Sequence, residues 1–206
     1  KSALFYLAAN TEGRQLLKDV AVLRAKITDE GLNAVVAEGP LGGKSALFYL
    51  AGFNEGRQLL IDDEVLRAKI DFQVFNAVLP EGEHKGLSAL FLLVNSHEGQ
   101  QLLNSDPNLR GKITKEGLNA VLAEGEDKGK SALLFLTGFS EGRQLLIGNA
   151  ELRGKITKEG LNSVVVEGPM KGTSALSYLV GSYEGEQLLR DNAELRGKIT
   201  KEGLNA

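Results

Sequence analysis

An internal repeat of 43 residues, kept without insertion or deletion along the whole chain, constrains the fold more than any other feature. Ser-Ala-Leu begins at Ser2, Ser45, Ser88, Ser131 and Ser174, and Glu-Gly keeps the same spacing from Glu12-Gly13 to Glu184-Gly185. The Leu-Leu pairs from Leu16-Leu17 to Leu188-Leu189 stay in step. A period of this length means that each unit is one supersecondary element, unable to bury its apolar face alone and obliged to lay it on its neighbours. The units run 1–43, 44–86, 87–129, 130–172 and 173–206, the last one truncated, and are read as a single repeat domain over 1–206.

Within each unit, capping residues mark four helix starts. The first helix begins at the repeated serine, and the second follows the turn around Asn54 or Ser140 and carries Gln58-Leu59-Leu60 or its equivalents. The third starts at Asp63, Asp106, Asn149 or Asn192, with Pro107 at the favoured first helical position and Val20 as the one exception. Thr28, Asp71, Thr114, Thr157 and Thr200 open the fourth, which is expected to run through Leu-Asn-Ala-Val to a Glu-Gly stop. Val35-Val36 and Val164-Val165-Val166 raise β-propensity but are read as helix ends. Helices this short are unstable alone, so the expected fold class is all-α, a stack of short helices forming a repeat solenoid.

Composition narrows the function. Hydrophobic residues at 42% and charged ones at 25% suit a globular protein with a continuous core. Twenty-four Lys and Arg against 27 Asp and Glu leave a net charge of −3, which argues against nucleic acid or an anionic membrane as partner. The lack of cysteine excludes disulfides, thiolate zinc sites and cysteine nucleophiles, and two histidines leave little for other metals, so no cofactor or metal is expected. No run approaches the roughly 20 apolar residues of a membrane span. A chain without cysteine suits a reducing compartment, which makes the cytoplasm the expected location. Lys1-Ser2-Ala3-Leu4 shows neither a start methionine nor a signal-peptide pattern, and the expectation is a piece of a longer protein.

Gly43-Lys44-Ser45-Ala46-Leu47-Phe48-Tyr49-Leu50-Ala51 is similar to the opening helix of an ankyrin repeat, Gly-x-Thr-Pro-Leu-His-x-Ala-Ala, and the similarity recurs in all five units. It departs from the family in length, since the ankyrin unit has about 33 residues, in the later position of Gly56, and in lacking Gly-Ala-Asp-Val-Asn. Residues from about Asp63 to Glu81 then form an added helical pair. The whole unit resembles the long ankyrin-like repeats of effector proteins that intracellular bacteria inject into host cells. That resemblance implies a right-handed-type, ankyrin-like helical solenoid serving as a protein-binding scaffold, often beside a catalytic domain elsewhere in the chain, and adds the host cytosol as a location.

Motifs suggestive of chemistry have plainer readings. Gly39-Pro40-Leu41-Gly42-Gly43-Lys44-Ser45 nearly spells a phosphate-binding loop, but Glu38 stands where the first glycine belongs. Gly125 to Ser131 fails in the same way at Glu124, so both are read as repeat junctions. His84 is expected to be a solvated loop side chain and His97 a contact residue; neither sits in a cluster suited to acid–base catalysis. The Glu12 row and the Arg24-x-Lys26 row are expected to pair between units, the alternative being a basic stripe for an acidic partner or for phosphates. The Gln15 to Gln187 and Asn33 to Asn205 rows are expected to satisfy backbone groups at turns and between units.

In a solenoid, identical positions make the stack and variable ones write the surface. The turn after the first helix varies, placing Phe53, His97, Phe139 and Tyr183 at tips, and Ile61 and Ile147 occur in the two units that carry the tip phenylalanines. Unit two departs most: Phe75 replaces a core leucine, Phe72 stands where others have Asp or Lys, and Pro80 is expected to end its helix early. Phe53, Ile61, Phe72, His97, Phe139, Ile147 and Tyr183 are therefore the candidate protein-binding residues, the other reading being that they cover the underlying core. The expected function is a non-catalytic scaffold that binds another protein. The alternative is an array that stacks end to end, since neither terminus shows a polar capping unit.

Overall fold

A computed structural model describes residues 1–82, 84–123 and 128–205. Among these residues the chain is all-helical, with no strand. Repeat one folds as α1 (Ala3–Ala9), α2 (Thr11–Asp19), α3 (Ala21–Arg24) and α4 (Asp29–Asn33), and repeat two as α5 (Ala46–Gly52), α6 (Asn54–Asp62), α7 (Glu64–Ala68) and α8 (Phe72–Asn76). Repeat three gives α9 (Ala89–Val94), α10 (His97–Ser105), α11 (Pro107–Gly111) and α12 (Lys115–Asn119). Repeat four follows with α13 (Ala132–Gly138), α14 (Ser140–Gly148), α15 (Ala150–Gly154) and α16 (Lys158–Asn162). Repeat five ends the chain with α17 (Ala175–Val180), α18 (Tyr183–Asp191), α19 (Ala193–Gly197) and α20 (Lys201–Leu204). The chain divides into two compact units, Lys1–Ile113 and Thr114–Ala206, with the boundary inside repeat three.

The helices start where the capping residues stand. Ser2, Ser45, Ser88, Ser131 and Ser174 each accept a hydrogen bond from the backbone N–H three residues on, which satisfies one of the open donors of the first turn. Asp63, Asp106, Asn149 and Asn192 cap the third helices in the same way, and Pro107 takes the first helical position. Val20 gives its helix no side-chain cap, and α3 is only four residues long.

Each first and second helix form a hairpin. In the unit Lys1–Ile113, α1, α5 and α9 pack side by side, as do α2, α6 and α10; in the unit Thr114–Ala206, α13 packs on α17 and α14 on α18. Leu50, Leu93, Leu60 and Leu103 fill the layers of the first unit, and Leu136, Leu179 and Leu146 those of the second. The fourth helices add their own apolar side chain, Leu32, Phe75, Leu118 or Leu161, so Phe75 does replace a core leucine.

The repeated Glu-Gly has a steric cause. A Cβ on Gly56 would lie 2.4 Å from the carbonyl oxygen of Leu50 and 2.5 Å from its Cα, and Gly13, Gly99 and Gly185 face Leu7, Leu93 and Leu179 at similarly short distances. The second helix thus rests directly on the backbone of the first, an approach closed to any residue with a side chain.

The fourth helix is shorter than expected. It ends at Asn33, Asn76, Asn119 or Asn162, and the residues that follow are extended. Leu79 N donates to Leu87 O at 2.8 Å and Gly86 N donates to Leu79 O at 2.8 Å; Val36, Leu122 and Val165 make the same two bonds with Lys44 and Gly43, Lys130 and Gly129, and Thr173 and Gly172. These loops are strandless antiparallel hairpins, and Gly43, Gly86, Gly129 and Gly172 sit at positive φ where they return. The β-propensity of the valines wins over the reading as a helix end. Because α8 ends at Asn76 like its counterparts, Pro80 shortens nothing.

Gly56→Ala is expected to destabilise the protein by about 2–4 kcal/mol, because backbone cannot yield to the new methyl group. Gly154→Ala, where a Cβ meets nothing within 4 Å, is expected to be neutral or stabilising by up to about 1 kcal/mol. Urea unfolding of the two variants beside the parent chain checks both.

Candidate functional site

The polar rows decide which side chains remain open to a partner. Arg24 Nη1 donates to the carbonyls of Leu17 and Lys18, closing the C-terminal end of α2, and Arg67, Arg110, Arg153 and Arg196 repeat this on Leu60 and Ile61, Leu103 and Asn104, Leu146 and Ile147, and Leu189 and Arg190. The Nε of Arg24 also meets Asp63 at 3.4 Å, and that of Arg67 meets Asp106 at 2.5 Å. These arginines therefore close the C-terminal ends of the second helices. For Arg24 and Arg67 the carboxylate met is the acidic cap of the next repeat, not a member of the Glu12 row as expected.

The glutamates pair with a different arginine row, directly after Glu-Gly. Arg14 Nε lies 3.4 Å from Glu55, Arg57 Nε 3.7 Å from Glu98 and Arg143 Nε 3.4 Å from Glu184. Each guanidinium also donates to the last turn of its own repeat's first helix, at Ala8, at Gly52 and at Thr137. This staple escapes the sequence reading because one partner is a backbone carbonyl and the other is a repeat away. The signal was present as a recurring Arg replaced only by Gln100 and Glu186.

The asparagine row behaves as expected. Asn33, Asn76, Asn119 and Asn162 donate to the carbonyls of Lys69, Lys112, Lys155 and Lys198 in the following repeat at 2.7–2.8 Å. The glutamine row does not. Gln15 and Gln58 reach along the surface to Asp19 and Asp62, one turn on in the same helix, and Gln101 meets His97. An open groove in the first unit, lined by Asp29, Asn33, Lys69 and Asp71 among others, is a seam of this ladder, its polar atoms joining repeats one and two.

Asp106 has the most perturbed setting of the repeat caps. Burial raises its pKa, but hydrogen bonds from Leu109 N–H and Arg67, with the charge of Arg67, outweigh that and hold the carboxyl below its ordinary value. Beside it the ammonium of Lys112 is pushed down by burial, against the pull of Asp106, Asp71 and Asp29.

The candidate residues fall into groups. Phe53 and Phe139 occupy the N-cap positions of α6 and α14, where Asn10, Ser96 and Ser182 cap the equivalent helices, and neither ring provides a cap hydrogen bond. They stay 44% and 37% exposed. The Arg14 guanidinium lies 3.9 Å over the Phe53 ring, and Tyr49 stacks on it at 6.5 Å, nearly parallel. His97 and Tyr183 open α10 and α18, and Tyr183, at 80%, is the most exposed of the large hydrophobic side chains among the described residues. Ile61 and Ile147 are half-buried near the far ends of α6 and α14, and Ile147 borders a small cavity with Arg153 and Leu188. Phe72, half exposed, opens α8, which packs on α5 and α9 and belongs to the added helical pair, not the hairpin tips. Exposed Val35 and Val78 on the extended segments are apolar surface that the sequence reading did not single out.

The motifs suggestive of chemistry lie in structural settings. Lys44, in the loop that resembles a phosphate cradle, is buried, its ammonium 5.9 Å from the rings of Phe48 and Tyr49. The lookalike at Gly125 lies partly outside the described residues. His84 is half-buried and stacks on Phe48 at 6.1 Å, which corrects its reading as a solvated side chain. Among the described residues no cluster of three or more His, Cys, Asp or Glu could hold a metal ion, and no helix is long and apolar enough to cross a membrane.

Compared with known proteins, the chain matches no protein-family model, no curated protein and no solved structure.

Because the folded-state pKa of Asp106 lies below its ordinary value, its ionisation stabilises the fold fully above that value and loses this effect as the pH falls through the lowered one. Asp106→Asn keeps the cap, as Asn149 does, but removes the charge. It is expected to cost about 1–2 kcal/mol at pH 7 and to flatten stability against pH on the acid side. Chemical denaturation from neutral to acid pH reads both effects.

Proposed function

We propose that the chain is a non-catalytic scaffold for protein–protein interaction, built as a stack of ankyrin-like helical repeats that presents its hairpin tips to another protein. The observation that carries this reading is the exchange at the second-helix N-cap. Repeats one, three and five place Asn10, Ser96 and Ser182 there and gain a hydrogen bond, while repeats two and four place Phe53 and Phe139 there and gain none. Giving up such a cap costs about 0.5–2 kcal/mol, and each ring remains more than a third exposed. A half-exposed aromatic that displaces a stabilising cap fits an anchor for a partner's surface. Tyr183 and His97 extend the same tips in repeats five and three, with Ile61 and Ile147 at the other ends of the helices that carry the phenylalanines. Phe72 joins this reading as a separate contact on the added helical pair.

The two histidines stand apart, His84 stacked on Phe48 and His97 beside Gln101 on the surface, and the asparagine row is engaged in repeat junctions, which supports the non-catalytic part of the reading. The resemblance to effector repeats and the lack of cysteine favour work in a cytoplasm, that of a host cell if the chain belongs to an injected protein.

The double variant Phe53→Ser, Phe139→Ser returns both N-caps to the residue type of repeats three and five. Its stability is expected to stay within about 1 kcal/mol of the parent, the regained caps offsetting the lost ring contacts. Proteins retained by the immobilised parent chain from a cell extract, quantified by mass spectrometry, are expected to be retained at least about tenfold less by this variant. Val65→Ser, at a valine 69% exposed on α7, serves as the control and is expected to retain them fully. Equal retention by the double variant would rule the tips out as the binding surface.

A further inference from the structure

The cap of the third helix changes its chemistry between the two compact units. In the unit Lys1–Ile113 it is an aspartate with two tasks. Oδ1 of Asp106 accepts the N–H of Leu109 at 2.9 Å while Oδ2 accepts Arg67 Nε at 2.5 Å, and Asp63 divides its oxygens in the same way between Leu66 and Arg24. In the unit Thr114–Ala206 the cap that follows Arg153 by one repeat is Asn192. Its Oδ1 accepts the N–H of Leu195 at 2.8 Å, so its other branch is the amide Nδ2, a donor where Asp106 offers an acceptor.

Arg153 is thereby left with an unused donor. Its Nη1 bonds the carbonyls of Leu146 and Ile147 at 2.7 Å, but its Nε is buried without a hydrogen-bond partner among the described residues. Arg57 and Arg143 also bury an Nε without a hydrogen bond, yet each has a carboxylate beside it, Glu98 at 3.7 Å and Glu184 at 3.4 Å. A buried donor that finds no acceptor is costly, and more so on a charged group. Arg153 and Asn192 border a cavity of about 140 Å³, completed by Ile147, Gln187, Leu188 and Asp191. At roughly 30 Å³ per water it has room for several, and hence for a carboxylate on a short aliphatic stem, with Ile147 and Leu188 as apolar walls.

Of the acidic groups nearby, Glu194 is held by Lys198 Nζ at 2.8 Å, a hydrogen bond that lowers its pKa more than the charge of Arg153 does. Asp191, exposed at the last position of α18, stands at the rim and opposes a second negative charge there.

We propose that this cavity is a carboxylate-binding site: a ligand carboxylate takes the place that Asp63 and Asp106 fill in the first unit, accepting hydrogen bonds from Arg153 Nε and Asn192 Nδ2. A free small carboxylate and the side chain of an aspartate or glutamate on another protein share this chemistry. The site lies at the C-terminal end of α14, away from the hairpin tips, and does not depend on them.

Nitrogen-15 NMR of the Arg153 Nε–Hε group reads the site directly. Exchanging chloride for acetate at constant ionic strength is expected to move this resonance saturably, half-way at about 1–50 mM. The Nε–Hε resonance of Arg67, already taken by Asp106, is expected to stay in place. Asn192→Asp keeps the cap and supplies the carboxylate from within, so it is expected to weaken the response to acetate at least about tenfold. Asp191→Asn lifts the repulsion at the rim and is expected to tighten binding at least about twofold. A blocked tripeptide with a central glutamate, used in place of acetate, tells the two sources apart: movement with both ligands extends the site to protein side chains, and movement with acetate alone limits it to free small carboxylates. No movement in acetate, or equal movement in Asn192→Asp, would overturn the proposal. So would a response seen only in Asp191→Asn, which would mean that Asp191 fills the place itself.

Discussion

Everything in this fold depends on satisfying the ends of very short helices. A helix leaves its first four N–H and last four C=O groups unpaired, so in elements of four to nine residues most of the backbone is terminal. The 43-residue unit can be read as the answer to that constraint. Serines, aspartates, asparagines and threonines close the N-terminal ends, two arginine rows close C-terminal ends, and the asparagine row ties a carbonyl in the next repeat. Leucine burial then supplies the main favourable free energy, but only because these groups keep buried backbone from going unpaired.

The same logic sets the spacing of the glycines. Gly56 is fixed by close approach, its position being pressed on the backbone of Leu50, while Gly43 is fixed by a positive φ where the extended loop turns back. These are different physical demands, and both hold the register of the repeat. A side chain at the first would push a hairpin apart, and one at the second would strain the return to the next serine cap.

How far the sequence was legible tracks how local each interaction is. Ser45, Asp63 and Thr157 were readable because a capping side chain and its backbone donor lie within three residues. The loops after Asn33 and Asn76 were not, since the bond from Leu79 to Leu87 needs a turn whose return depends on glycine at positive φ, and a few valines alone resemble a helix end. Arg14 and Glu55 are 41 residues apart and can be paired only once repeats are known to stack. The glutamine row misled for the opposite reason: a strictly repeated amide suggests a buried ladder, yet Gln15 and Gln58 face outward and bond within their own helices. At the candidate surface, Phe53 and Phe139 were visible as variable aromatics, but the caps they displace became apparent only beside Asn10 and Ser96 in the folded chain.

Repeat positions therefore sort by what they serve. Those serving the backbone, such as the first serine and the Glu-Gly glycine, hardly vary, because the group they satisfy or the space they leave is the same in every unit. Those serving a neighbouring repeat vary in a bounded way: Gln100 keeps the bond to a carbonyl of its repeat's first helix, that of Val94, while giving up the positive charge, and Glu186 reverses it. The second-helix N-cap belongs to neither group. Its backbone demand is the same in all five repeats, yet two of them answer it with an aromatic ring that cannot accept a hydrogen bond. In repeat two that ring takes the Arg14 guanidinium of repeat one at 3.9 Å and stacks on Tyr49, so the lost cap is exchanged for a contact between repeats, and the face of the ring that stays exposed is what the proposed binding role rests on.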